Sequence, residues 1–373
     1  MSETFVRSES SPSLPPPVRR RGILRWVQDN LFSSWLNSLL TIAAVYLLVL
    51  AVPPLLDWAL FDAVFDGTSG AACSGAGKGA CWAFVEAKFN QFIYGRYPDA
   101  EQWRVNLAVL LGALGLVALL TPNKLPKGWV LVYVFLLFPI FAFVLLYGGS
   151  VGLSVVETSS WGGLMVTLVV AVTGIGASLP LGVLLALGRA SRMPVVRTLS
   201  ILFIELWRSV PLITVLFMAS VMLPLFLPEG MSFDKLLRAL IGVALFSSAY
   251  MAEVVRGGLA AIPAGQYEAA RALGLTYWQS MGQIILPQAL RAVIPGVVNN
   301  FIGLFKDTTL VLIIGLFDLL GIVQANYTDP TWASPQTAVT GYVFAAFMFW
   351  VFCFGMSRYS VYMERRLETD RNK

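Results

Sequence analysis

The chain has 373 residues, 57% hydrophobic and 13% charged, with a formal net charge of +5. Soluble domains average about 45–50% apolar and about 25% charged, so the surplus must face lipid; the scattered basic residues form no stripe and point to membrane loops, not to nucleic acid. With 3 cysteines and no histidine the chain offers no ligand set for a metal and lacks the commonest general base, so chemistry on a substrate is not expected.

Residues 1–28, rich in Ser and Pro, read as a disordered cytoplasmic tail anchored by Arg19, Arg20 and Arg21. No small-residue cleavage site follows, so the first apolar run is expected to be retained. A span takes about 20 apolar residues. Such runs lie at 31–56, 105–121, 129–153, 161–188, 203–228, 236–257, 293–324 and 338–358. The predicted fold is therefore an all-α membrane protein of eight transmembrane helices. Three N-terminal helices occupy 29–155, five more occupy 156–365, and a short cytoplasmic tail covers 366–373.

Between the first two spans lies a long external loop, 57–104, holding Cys73 and Cys81 in GTSGAACSGAGKGAC. On an oxidising face the two could form a disulfide, which spacing alone leaves open. With a cytoplasmic N-terminus, 18 of the 26 Lys and Arg fall inside and 6 outside, while Arg208 and Lys306 fall within spans. That bias puts both termini and residues 263–287 in the cytoplasm.

Pro211 is expected to kink or start the fifth span. Glu205 and Arg208 are three apart, as are Glu253 and Arg256, which predicts two pairs, each on one helix face, acting as a gate or fixing helix depth. Glu205 is also a candidate for the substrate path, as are Ser247 and Ser248 on the sixth span. The following stretch, PAGQYEAARALGLTYWQSMGQIILP, divides into two short helices. Pro263 opens the first, Gly274 ends it in a left-handed cap, and Thr276 with Gln279 has the capping-box spacing that starts the second. Pro287 disfavours continuation, and Ala269 and Ala270 leave the backbone approachable by another protein.

The seventh apolar run is too long for one straight helix and is expected to break at Asn299, Asn300, Lys306 and Asp307, lining a cavity. The two amides both donate and accept, as a zwitterionic cargo requires. Lys306 and Asp307 are assigned to pairing with neighbours or to balancing the break before any substrate role.

Glu268, Ala269, Ala270, Gly274, Ile284, Leu286 and Pro287 occupy every position of the E-A-A, G, I, L-P motif of ABC-importer permeases, and the chain resembles that family. IELWRSVPLI from Ile204, AYMAEVVRGGLAAIPAGQ from Ala249 and LFKDTTLVLIIG from Leu304 are similar to segments of the polar amino-acid permeases. The N-terminal spans and long loop look most like the longer permeases of general L-amino-acid importers. The resemblance implies a five-helix type I importer core in a bacterial inner membrane, whose 263–287 loop couples to an ABC ATPase present in two copies and carrying ATP and Mg. It implies a homologous second permease, in a heterodimer, and a periplasmic amino-acid-binding protein. Asn300 stands where that family often has an acid, which argues against a site dedicated to cationic amino acids. No GxxxxGK[ST] phosphate loop occurs in the chain, so ATP hydrolysis would come from a separate subunit. The competing readings are a stand-alone secondary transporter or channel, and an importer permease for another small solute such as an opine or a peptide.

Overall fold

The computed structural model describes residues 22–75, 77–121, 125–150, 152–226, 228 and 233–371; Arg19, Arg20 and Arg21, with the rest of the first 21 residues, lie outside the described residues. The chain divides at Ala63 into two compact units.

In the first unit, helix α1 (Ile23–Leu31) begins inside the stretch read as tail and pairs Arg25 with Asp29 across one turn. Helix α2 (Trp35–Leu56) opens where the Ser34 hydroxyl accepts the Asn37 N–H, and the Thr41 hydroxyl donates to the Leu31 carbonyl, tying the two helices together. No residue of α2 is buried, which suits a helix that is apolar all round and meets lipid.

In the second unit, α3 (Trp82–Tyr94) precedes α4 (Gln102–Leu120), which packs on a span made of α5 (Lys127–Val132), a π turn and α6 (Phe138–Tyr147). Small residues let these helices approach. The Phe138 and Tyr133 rings lie over Gly112 and Gly115, where a Cβ would come within 2.7 and 2.6 Å of them. The centre of the unit is α7 (Gly163–Arg189), which packs on α10 (Lys235–Ala260). Gly174 and Gly182 of α7 leave no room for a Cβ against Val243 and Met251 of α10.

Between them run α8 (Pro194–Ser209) and α9 (Leu212–Phe217). The expected straight run at 203–228 is instead a broken span, bent by 101° between Ser209 and Leu212. A residue before proline is driven out of the α region, and Val210 before Pro211 is extended (φ −113°, ψ 136°).

After α10 come α11 (Ala264–Ala272), α12 (Tyr277–Ser280), α13 (Leu286–Ala292), α14 (Ile294–Asp307), α15 (Leu319–Tyr327) and α16 (Pro335–Arg371). The seventh span also differs from expectation. Asn299, Asn300, Lys306 and Asp307 lie in continuous helix, and the break falls later, where a 3₁₀ stretch ends at left-handed Gly315 (φ +75°). Residues 319–324 therefore belong to a separate helix, which the Asp318 carboxylate caps through the Leu320 and Gly321 N–H groups. The final helix runs on through the stretch read as tail, to Arg371. Seven helices among the described residues are long and apolar enough to cross a membrane, and the bent pair makes an eighth.

Candidate functional site

The loop between α10 and α13 has the predicted helix–turn–helix form. Pro263 is the N-cap of α11, and Gly274 (φ +70°) closes it, with the Leu275 N–H on the Ala270 carbonyl at 3.2 Å and the Gly274 N–H on the Arg271 carbonyl at 2.9 Å. Nothing lies within 4 Å of a Cβ placed on Gly274, so the backbone angle selects glycine here, not space. The capping box forms, with the Thr276 N–H on Gln279 Oε1 at 2.9 Å.

Two expectations fail in this loop. Pro287 does not end the helix: a π turn over Met281–Ile285 precedes it, and proline is tolerated in the first turn of α13 because no N–H is needed there. Ala270 is not open to a partner but fully buried. Ile284, Leu286 and Tyr267 pack against a cluster of Ile285, Ala289, Val255 and Leu259 that seats the loop on α10. The Tyr267 hydroxyl donates to the Leu259 carbonyl at 3.3 Å, and burial pushes its pKa above the ordinary tyrosine value. Glu268, Ala269 and Gly274 stay exposed. Beside them the loop presents Leu273 (74% exposed), Tyr277 (49%) and Trp278 (69%), which the sequence reading missed. Their signal was available, since large apolar side chains between two polar caps have no local core to enter.

At the same end of the bundle, α7, α8 and α10 meet in an ionic network. Arg189 Nη1 reaches Glu205 at 2.8 Å and Glu253 at 3.0 Å; Arg256 meets Glu253 at 2.9 Å, and Arg208 meets it at 3.8 Å. The Glu253–Arg256 pair thus forms as expected, but Glu205 and Arg208 do not pair. The bend at Val210 lays α8 against its neighbours, so each finds its partner across helices. Glu205 is committed to Arg189, a residue the sequence reading did not single out. Glu253 holds the centre: its side chain is 17% exposed, and Oε1, though 3.0 Å from Arg189, makes no aligned hydrogen bond.

Ser247 and Ser248 do not offer free hydroxyls to a cavity. Ser247 donates to the Val243 carbonyl at 2.6 Å and lies 3.3 Å from that of Gly174; Ser248 donates to Ala244. Ser248 edges a hollow of about 250 Å³, otherwise lined by Leu181, Leu184, Leu185, Phe203 and Leu245. That lining has no convergent polar groups and suits an apolar guest.

Helix α14 is different. Asn299, Asn300, Lys306 and Asp307 make no side-chain hydrogen bond or ion pair among the described residues, so the pairing expected of Lys306 and Asp307 is absent. Adjacent residues on a helix do not face each other, so Lys306 and Asp307 do not pair with one another. Asn299, Gly303 and Lys306 are exposed, while Leu304 and Phe305 are buried on the far side, where Phe305 meets Phe349 and Phe352 of α16.

At the opposite end of the bundle Cys73 and Cys81 form a disulfide, with Cα atoms 5.6 Å apart. It is buried with Phe84 and Trp332. The Cys81 N–H donates to Thr340 Oγ1 at 2.8 Å, the Gly70 N–H to the Thr331 carbonyl at 2.8 Å, and Lys88 pairs with Asp329 at 3.3 Å. The Thr331 backbone N–H, then its hydroxyl and Lys88, hold the Asp329 carboxyl below its usual pKa. The long loop is thereby fastened to the connection between α15 and α16.

Residues 178–369 match the family described as binding-protein-dependent transport system inner membrane component. The inner membrane amino-acid ABC transporter permease YhdY of Escherichia coli K12 is 54% identical over 97% of this chain and 98% of its own length. A glutamate/glutamine/aspartate/asparagine transport system permease, BztC of Rhodobacter capsulatus, is 41% identical over 99% of this chain and all of its own. A solved amino acid ABC transporter chain, crystallised with histidines, aligns at 29% identity with a TM-score of 0.49, covering 55% of this chain and 92% of that one.

Proposed function

The chain belongs to the family of inner membrane components of binding-protein-dependent transport systems, and from that premise we propose that it is the permease through which an ATP-driven importer passes L-amino acids into the cytoplasm. It is a multi-pass membrane protein and a transport subunit, not a catalyst.

The observation that carries the reading is the exposed apolar edge Leu273–Tyr277–Trp278 on a loop whose own fold is held by Ala270, Ile284 and Leu286. Large apolar side chains on a polar, water-facing loop mark a protein contact. The partner is an ABC ATPase, two copies per importer, which binds ATP with Mg. The buried motif residues transmit its movement to α10 and α13, while Glu268, Ala269 and Gly274 form the contacted surface. The basic-residue bias supports a cytoplasmic side for this loop and both termini and a periplasmic side for the disulfide loop, where an amino-acid-binding protein delivers the cargo. A homologous second permease completes the pathway as a heterodimer. The ionic network of Arg189, Glu205, Arg208, Glu253 and Arg256 ties three helix ends together just above the coupling loop and serves as a gate. Asn299 and Asn300 face the cargo.

The test is uptake by the importer reconstituted in proteoliposomes with its ATPase and binding protein. Uptake of labelled L-glutamine that requires ATP and is inhibited by several L-amino acids supports the reading. Uptake driven by an ion gradient without ATP, or inhibition only by an opine or peptide, overturns it.

A further inference from the structure

Helix α1 repeats its apolar residues at intervals of four: Ile23, Val27 and Leu31 share one side, and Trp26 flanks it. Arg25, Gln28 and Asp29 hold the other side, while Asn30, which falls between Trp26 and Ile23 around the helix, donates its amide to the Trp26 carbonyl at 2.8 Å. The depth of α1 follows from its neighbour. The Thr41 hydroxyl donates to the Leu31 carbonyl at 2.7 Å, so the last turn of α1 lies beside a residue about 9 Å into α2. The crossing segment Trp35–Phe61 is about 40 Å long at 1.5 Å per residue, more than a hydrocarbon core of about 30 Å. Its first turns therefore stand at headgroup level, and α1 stands there with them. Charge gathers at the same place: Arg19, Arg20, Arg21 and Arg25 fall close together, and Asp29 is the one acid between Glu9 and Asp57.

We propose that α1 lies flat in the membrane surface and binds anionic phospholipid headgroups, with Ile23, Trp26, Val27 and Leu31 in the headgroup–acyl boundary and the four arginines on phosphates of the same leaflet. A helix with one apolar and one charged side, held at this level by a spanning helix, settles in the interface plane. Tryptophan suits that boundary, because its ring is apolar and its N–H polar. The neighbouring α2 does not cover the apolar side: Ile23 is 85% exposed and Trp26 60%. Arg25 reaches Asp29 only at 3.9 Å, with both side chains more than half exposed, so water screens that pair and the guanidinium remains able to take a phosphate. Its fork matches phosphate in shape as well as charge, binding two oxygens at once. A leaflet rich in anionic lipid attracts basic residues beside a span, each strengthening binding about fivefold. Four arginines against one acid therefore favour anionic over zwitterionic headgroups. Lipid binding of this kind is independent of which cargo passes.

The experiment places the assembled importer in phosphatidylcholine nanodiscs, with Cys353→Ser and Ile23→Cys in this chain, no other free thiol, and an environment-sensitive fluorophore on the introduced thiol. The same small fraction of spin-labelled phosphatidylglycerol or spin-labelled phosphatidylcholine is added, and quenching by the two is compared. Both lipids are expected to quench, phosphatidylglycerol about fivefold more effectively, with the advantage shrinking at high salt. Arg19→Gln, Arg20→Gln, Arg21→Gln and Arg25→Gln together should bring the two lipids to equal quenching, whereas Arg19→Lys, Arg20→Lys, Arg21→Lys and Arg25→Lys should keep most of the preference. Equal quenching by the two lipids with the arginines intact overturns headgroup binding. Weak quenching by both overturns it as well and would seat the apolar side against protein. A preference that survives the four glutamine substitutions, or that ignores salt, overturns the role of the arginines. The lipid comparison and its salt dependence are read with the arginines intact, so they decide the matter even if a charge variant fails to assemble.

Discussion

Removing Arg189 tests whether the ionic network or the i, i+3 spacing governs these charges. In Arg189→Ala, Glu253 keeps Arg256 at 2.9 Å on one oxygen, but Oε1 loses its one charged contact in a side chain only 17% exposed. Stripping a partner from a fully buried pair costs about 3–5 kcal/mol. Arg189 is itself 26% exposed and Arg256 remains, so we expect about 2 kcal/mol for Arg189→Ala. Glu205 is half exposed, and Glu205→Gln is expected to cost much less than Arg189→Ala. Double-mutant cycles, read from unfolding of the purified protein in detergent, should give a coupling of about 1–2 kcal/mol for Arg189 with Glu253 and almost none for Glu205 with Arg208. The reasoning is refuted if Glu205 and Arg208 couple as strongly as Arg189 and Glu253.

Gly274→Ala places a side chain in the left-handed region at a cost of about 1 kcal/mol, which should speed amide exchange across 264–280 roughly fivefold while distant helices are unchanged. Asp318 is fully buried, and burial raises its carboxyl pKa to about 6 despite the N–H groups of Gly321 and Leu320. Its folded pKa lies above the unfolded value, so the charged form opposes folding above pH 6, and stability should rise by about 3 kcal/mol as pH falls from 7 through 6 towards 4. In thermal scans Asp318→Asn should keep the cap and lose this contribution to the pH dependence; an unchanged profile contradicts the assignment. The Cys73–Cys81 bridge closes a loop with a separation of 8, worth about 2.5 kcal/mol by loop-closure entropy. Cys73→Ser with Cys81→Ser should lower the melting temperature and expose Trp332 to quenching, and no change in either would count against a clasp.

The capping signals of the loop act locally and are legible in the sequence. Pro263, Gly274, Thr276 and Gln279 determine their own helix ends, so the coupling loop was legible down to its capping box. Misreadings occurred where a distant residue decides. The partner of Glu205 is Arg189, 16 residues away on another helix, and no spacing rule finds it. Ala270 is buried by the tertiary packing of the loop, although the motif shows only a small residue. Pro287 escapes ending its helix through a π turn that sequence does not announce. At Lys306 and Asp307 the sequence suggests pairing with neighbours, and among the described residues neither side chain makes an ion pair.

The most direct test of the coupling role is the contact made by the exposed edge of the loop. With Leu273→Cys or Trp278→Cys in the assembled importer, a short thiol cross-linker should join this chain to the ATPase, and Trp278→Ala should reduce ATP-driven uptake at least tenfold while the chain still folds and inserts. Absence of cross-linking at both positions, together with wild-type uptake in Trp278→Ala, would contradict the account.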